Sequence, residues 1–160
     1  MSSPILSAML CYHNYVSTLI HNRKVHFTYE ILERFEAGIV LSGQEVKSLR
    51  KGQGSLEGSY IIIRGGEAYI MHMQIPPYQV GNVDDYDPLQ NRKLLLTRNE
   101  IAKLAGLVKG LTIVPITVYN KGHKIKVEIA TVRGKKQFDK RESIKKRDTE
   151  RQIRREYKDR

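Results

Sequence analysis

The 160-residue chain has no tryptophan and a single cysteine, Cys11. One cysteine excludes an intramolecular disulfide framework and fits a reducing compartment. No apolar run reaches the ~18 residues that a membrane-crossing helix needs. Residues 8–20 are mostly apolar and uncharged, but no basic residue precedes them, so they do not read as a secretory leader. Residues 1–21 are expected to be a loosely docked arm, or to follow a start placed upstream of the true one. Catalytic patterns are missing as well. There is no Walker loop, H-E-x-x-H or C-x-x-C sequence, and His21, His26, His72 and His123 are scattered. Cys11, His13 and His21 lack the spacing of a metal site. Gly52-x-Gly54 and Gly65-Gly66 read as turn glycines, and Asp84, Asp85 and Asp87 as a solvated loop. The expectation is a protein without enzymatic activity, metal or cofactor.

Positive charge is what the chain has in excess. Its 28 Lys and Arg outnumber 17 Asp and Glu, a net of +11. Residues 133–160 hold thirteen basic and six acidic residues, a net of +7, so the other 132 residues carry only +4. Such a bias points to a nucleic acid or an anionic surface. The C-terminal segment has too few apolar residues to fold alone. Its local choices favour helix: Asp139 and Glu142 stand at capping-box spacing, and Glu142–Lys146, Glu150–Arg154 and Glu156–Arg160 are (i, i+4) pairs in the favourable order. It is expected to be disordered when free and helical against a polyanion.

Between these ends the pattern is that of short strands. Apolar residues at odd positions over residues 27–41 predict a long half-buried strand, with a bend or bulge at Gly38 and Glu36 on its polar face. Ser42-x-x-Glu45 is a capping box opening a short helix to Arg50, which leaves Glu45 explained by capping. Residues 59–64 and 67–73 are strands joined by Gly65-Gly66. Thr97-x-x-Glu100 caps a second helix running to about residue 109. Residues 111–119 and 123–132 are the last strands, with Pro115 at an edge or bulge, a turn at Asn120-Lys121-Gly122, and Lys124 and Lys126 facing out. The fold expected is mainly β, a small antiparallel barrel of the oligonucleotide-binding kind, with two or three short helices and a basic C-terminal tail. Its domains are an arm over 1–21, a barrel over 22–132 and a tail over 133–160. The basic groups of the barrel, with Tyr29, Tyr60, Tyr78 and Tyr119 near some of them, suggest RNA recognition by stacking and phosphate contact.

Several segments in order resemble the SsrA-binding protein, or small protein B, family. They are Asn22-Arg23-Lys24, Phe35-Glu36-Ala37-Gly38-Ile39, Glu45-Val46-Lys47-Ser48-Leu49-Arg50, Gly66-Glu67-Ala68, Asp87-Pro88-Leu89, Arg92-Lys93-Leu94-Leu95-Leu96, Arg133-Gly134-Lys135-Lys136 and Asp139-Lys140-Arg141. The resemblance covers residue 22 to the C-terminus and implies a cytoplasmic, monomeric factor of trans-translation. Its barrel would bind the tRNA-like domain of transfer-messenger RNA in place of an anticodon arm. Its tail would enter the empty mRNA channel of the small ribosomal subunit, against rRNA, and fold into a helix there. Elongation factor Tu would be a partner through the alanylated RNA, and no membrane is involved. The family's RNA-contact positions fall on Asn22, Glu36 and Leu95, with Arg23, Lys24, Lys47, Arg50, Arg92 and Lys93 as neighbouring cations. The ribosome-binding tail residues would be Gly134, Lys135, Lys136, Phe138, Asp139, Lys140, Arg141, Lys145, Lys146 and Arg147. Phe138 stands where the family often has histidine, which preserves stacking but not protonation. The alternative is a structural or assembly RNA-binding protein of the ribosome.

Overall fold

The computed structural model describes residues 16–79, 86–107 and 109–135. Among them are seven strands, β1 (Val16–His21), β2 (Tyr29–Ile39), β3 (Tyr60–Arg64), β4 (Glu67–Met71), β5 (Arg92–Leu95), β6 (Leu111–Lys121) and β7 (Lys124–Gly134). Three helices accompany them, α1 (Val25–Thr28), α2 (Gly43–Arg50) and α3 (Arg98–Ala105). The strands are antiparallel in the order β1-β6-β3-β4-β5-β2-β7, and a further β6–β7 pairing closes six of them into a barrel. Strand β1 is the seventh. It takes the end of β6's edge, at Thr117–Lys121, while β3 takes the same edge at Ile113.

The barrel interior holds Ala37, Leu49, Ile61, Ile70, Leu94, Val118, Val127 and Ile129 among its buried residues. A second, smaller core of Val25, Val114, Ile116, Ala130 and Val132 lies on the other side of β6 and β7, with Tyr29 and Ile31 packed against it. Side chains alternate along a strand, so one extra residue exchanges the two faces. Two such irregularities let β2 and β6 serve both cores. In β2 the register shifts between Ile31 and Glu33, so Ile31 faces the outer core while Phe35 faces the interior. In β6 it shifts between Pro115 and Thr117, so Ile116 is outside while Val118 is inside. Proline has no N–H to give the ladder, which is why the break falls there.

Both capping boxes form, Ser42 with Glu45 and Thr97 with Glu100. Gly65 and Gly66, at φ 60° and 75°, make the β3–β4 hairpin turn. Several boundaries differ from those predicted. Residues 16–21 are a strand of the sheet, because β6's remaining edge supplies the pairing that their own short pattern does not announce. Residues 25–28 form a helical turn, started where Asn22 Oδ1 accepts the Lys24 N–H at 3.2 Å. The bulge in β2 is at Leu32, not Gly38. Gly38 pairs with Leu95 of β5, and a Cβ on Gly38 would stand 3.2 Å from the Leu95 Cβ. Helix α3 stops at Ala105, before Gly106. The last hairpin turns at Gly122-His123, with Lys121 opposite Lys124. Strand β7 runs through Arg133 to Gly134, which pairs with Tyr29, so these residues belong to the barrel. Lys135 follows, its N–H donating to Thr28 O at 3.0 Å and its Nζ to His26 O at 2.9 Å.

Arg92, expected at the surface, is inside. Its side chain is 1% exposed and that of Glu45 2%. Arg92 Nε donates to Glu45 Oε1 at 2.6 Å, Nη1 to Met73 O at 2.6 Å and Gln90 O at 2.9 Å, and Nη2 to Pro88 O at 3.0 Å. Glu45 thus caps α2 with one oxygen and ties it to the start of β5 with the other. Burial alone would raise the Glu45 carboxyl, but hydrogen bonds from Ser42, Gln90 and Arg92 outweigh it and hold the group below its ordinary value.

Removing one partner of a buried pair strands the other charge. Arg92→Met is therefore expected to cost about 3–5 kcal/mol in urea unfolding. Adding Glu45→Gln should restore part of that loss, and a wild-type midpoint for Arg92→Met would show that the pair holds nothing.

Candidate nucleic-acid interface

The register shift at Pro115 turns Thr117, Tyr119 and Lys121 to the outer face of β6. Across β7 this brings them to Glu36 of β2, which sits opposite Glu128. Two carboxylates directly opposite would repel. Cations separate them: Arg34 Nη1 reaches Glu128 at 3.0 Å, and Lys121 and Lys126 reach Glu36 at 3.0 and 3.1 Å. Tyr119 Oη donates the remaining hydrogen bond to Glu36. That bond first, then those from Lys121 and Lys126, lower the Glu36 carboxyl to about 2. Tyr119 moves the other way, raised by burial and by its bond to the carboxylate. All of these residues except Lys126, together with Thr18, line a shallow cleft of about 520 Å³. With three cations against two carboxylates the cluster's charge is about +1, too little to act by phosphate neutralisation alone. Its chemistry is that of oriented donors around an aromatic ring, which suits base and ribose contact.

Beside this cleft, Leu95 lies across Gly38 with 56% of its surface exposed, and Val40 is 51% exposed. The core is filled instead by its neighbour Leu94, 2% exposed. Glu36 and Leu95 therefore share one outer strip of the sheet.

The other expected contacts lie elsewhere. Asn22 follows β1, its Nδ2 donating to Leu56 O at 3.0 Å. Lys24 pairs with Glu57 at the surface, and Arg23 is exposed without an ion pair to any described residue. The Nζ of Lys47 on α2 and of Lys51 just after it stand 5.6 and 4.3 Å from the Tyr78 ring centroid. Arg50 Nη2 donates to His123 O at 3.4 Å, which sets the basic side of α2 against the turn between Lys121 and Lys124. Lys93 pairs with Glu67 on the outer side of β4 and β5. Arg92 is withdrawn as a contact by its burial. Gly134 ends β7, and Lys135 is bound to the α1 turn. Lys136, Phe138, Asp139, Lys140, Arg141, Lys145, Lys146 and Arg147 lie outside the described residues.

Tyr119, Lys121 and Lys126 complete the Glu36 cluster; on sequence Tyr119 is one of four tyrosines near basic groups, and none of the three is tied to Glu36. A two-residue turn at Gly122-His123 would have paired Tyr119 with Lys126. Their link to Glu36 needs the β2–β7 register, which no local pattern contains. Among the described residues no group of His, Cys, Asp and Glu is placed to hold a metal ion, and no helix is long and apolar enough to cross a membrane.

A family model described as SmpB protein matches residues 19–159. An SsrA-binding protein of Malacoplasma penetrans is 51% identical over 138 residues, covering 85% of this chain and 94% of the relative. One of Acetivibrio thermocellus is 51% identical over 140 residues, covering 86% and 91%. A solved chain described as "tmRNA-SmpB: a journey to the center of the bacterial ribosome" superposes with a TM-score of 0.64 at 40% identity, covering 80% of this chain and 95% of that one.

The cluster predicts its own titration. A carboxyl lowered to about 2 adds stability that is complete above its unfolded value near 4.5 and disappears as pH falls through the folded value. The Glu36 carboxyl resonance should stay that of the carboxylate at pH 3.5 and titrate near 2. Tyr119→Phe should move the midpoint upward, and an unmoved midpoint would remove Tyr119 as the main cause.

Proposed function

This chain belongs to the SmpB family of SsrA-binding proteins, and from that membership we propose that it binds SsrA RNA, the transfer-messenger RNA, and acts with it in trans-translation on the ribosome. The observation that carries the reading is the extent of the family match, which runs from β1 through the C-terminal basic segment and so spans both parts a carrier of this kind needs. The Glu36 cluster supports it, since a group of charge near +1 with a tyrosine and two held lysines recognises shape and base edges more than bulk phosphate.

In this reading the barrel holds the tRNA-like domain in place of an anticodon arm. Glu36, Tyr119, Lys121, Lys126 and Leu95 form the central contact, and Asn22, Arg23, Lys24, Lys47, Arg50 and Lys93 are flanking ones. Residues from Lys136 onward enter the vacant mRNA channel of the small subunit. Elongation factor Tu is met through the alanylated RNA rather than through the protein. The family's role is RNA binding, so the protein acts as a carrier and sensor in the cytoplasm without turnover of its own.

Binding to transfer-messenger RNA and to an ordinary tRNA across a salt series tests the reading. A preference that survives rising salt is expected. Affinities that fall together would indicate general phosphate binding and move the ribosomal assembly protein ahead. Glu36→Ala should weaken transfer-messenger RNA binding about tenfold, the worth of one charged hydrogen bond, without shifting the unfolding midpoint far. Truncation after Lys135, which leaves β7 whole, should preserve most RNA affinity and stop peptide tagging on stalled ribosomes. Loss of all RNA binding on truncation would refute this division of roles.

A further inference from the structure

Around the closed ring, β3 and β4 stand across from the β7–β2 side that carries Glu36. Their outer face has an aromatic pair of its own. Tyr60 opens β3 and is 37% exposed. His72, one residue past β4, lies stacked on it with ring centroids 5.6 Å apart and planes inclined by 28°. His72 is exposed, and its φ is 55°, the only non-glycine residue at positive φ among the described residues. That conformation is unfavourable for a side chain and persists where the surroundings impose it. Neither ring makes a hydrogen bond or ion pair with a described residue. Packing alone would bury such rings. These two face water, held side by side.

Tyr60 also walls a cleft of about 440 Å³ shared with Asn22, Lys24, Tyr29, Glu57 and Thr112. At its mouth Lys24 is paired, among the described residues, with Glu57 alone, and the two side chains are 69% and 61% exposed. An exposed pair of this kind contributes little and yields readily to a stronger anion. An aromatic face, a nearby cation that can change partner and the Asn22 amide are the elements that hold a single-stranded nucleotide.

We propose that Tyr60 and His72 form a stacking platform for an unpaired ribonucleotide, whose phosphate takes Lys24 from Glu57. The proposal deepens the RNA-binding reading and rests on it, and adds a contact on the side of the barrel away from Glu36. Two RNAs supply that chemistry, the SsrA RNA and the rRNA of the small subunit.

Tyr60→Leu keeps apolar bulk and removes the ring. His72→Gly removes the other ring and accepts positive φ without strain, so its fold is kept. Each full-length variant is titrated with a short oligouridylate, with transfer-messenger RNA and with isolated small subunits, across salt. One stacked base lost should weaken oligonucleotide binding roughly 5- to 150-fold while leaving the salt slope unchanged, since no phosphate contact is removed. An accompanying loss on transfer-messenger RNA assigns the base to that RNA, and one on small subunits assigns it to rRNA. Wild-type oligonucleotide affinity in both variants overturns the platform, as does a loss confined to the oligonucleotide. The preference of the unmodified protein for transfer-messenger RNA over tRNA tests the wider reading separately, because it does not depend on either variant.

Discussion

Side chains of a strand alternate between its two faces, and this barrel has to bury both faces of the same strands. Along β6, Ile113 and Val118 belong to the interior, while Val114 and Ile116 belong to the small core under α1. A regular strand cannot serve both with an apolar sequence of this spacing. The extra residues at Leu32 and Ile116 resolve the conflict, and the placement of Glu36, Tyr119 and Lys121 on one outer surface follows from them. The cluster is a consequence of how the core is shared, and it would be scattered by loss of either bulge.

This constraint also explains which parts were legible in the sequence. Capping boxes at Ser42 and Thr97 and the turn at Gly65-Gly66 are local chemistry, readable from three or four residues, and they appear where expected. The β7 alternation of Ile125, Val127 and Ile129 is legible for the same reason. The odd-position pattern over residues 27–41 was real but misleading. Tyr29 and Ile31 share their parity with Phe35 and Ala37, yet the two pairs face different cores. Strand β1 was hidden because its pairing is supplied by β6, nearly a hundred residues on. Arg92 was hidden because a basic residue beside Lys93 looks exposed until its acidic partner 47 positions away is known. Glu36 needed the family resemblance to stand out from surface strand residues, whereas its partners needed only the register.

Charge is distributed to match these roles. Around the barrel several cations meet a carboxylate at the surface, as Lys24, Arg34, Lys93, Lys103, Lys121 and Lys126 do. Pairing leaves them oriented and only weakly held, so a phosphate can enter by exchange instead of ordering a free side chain from solvent. The net +7 of residues 133–160 has no such balance in composition. Under the proposed reading, one part of the chain serves selectivity and the other attraction.

The bond from the Lys135 N–H to Thr28 O, with Lys135 Nζ on His26 O, has a geometric consequence. It makes the last described residue a fixed pivot on the barrel rather than the start of a loose tether. Every position that the residues after it reach is measured from that one point. A chain rooted in this way can act as a ruler: under the proposed reading, with the barrel seated on its RNA, the distance to a vacant channel is set in advance by where β7 stops.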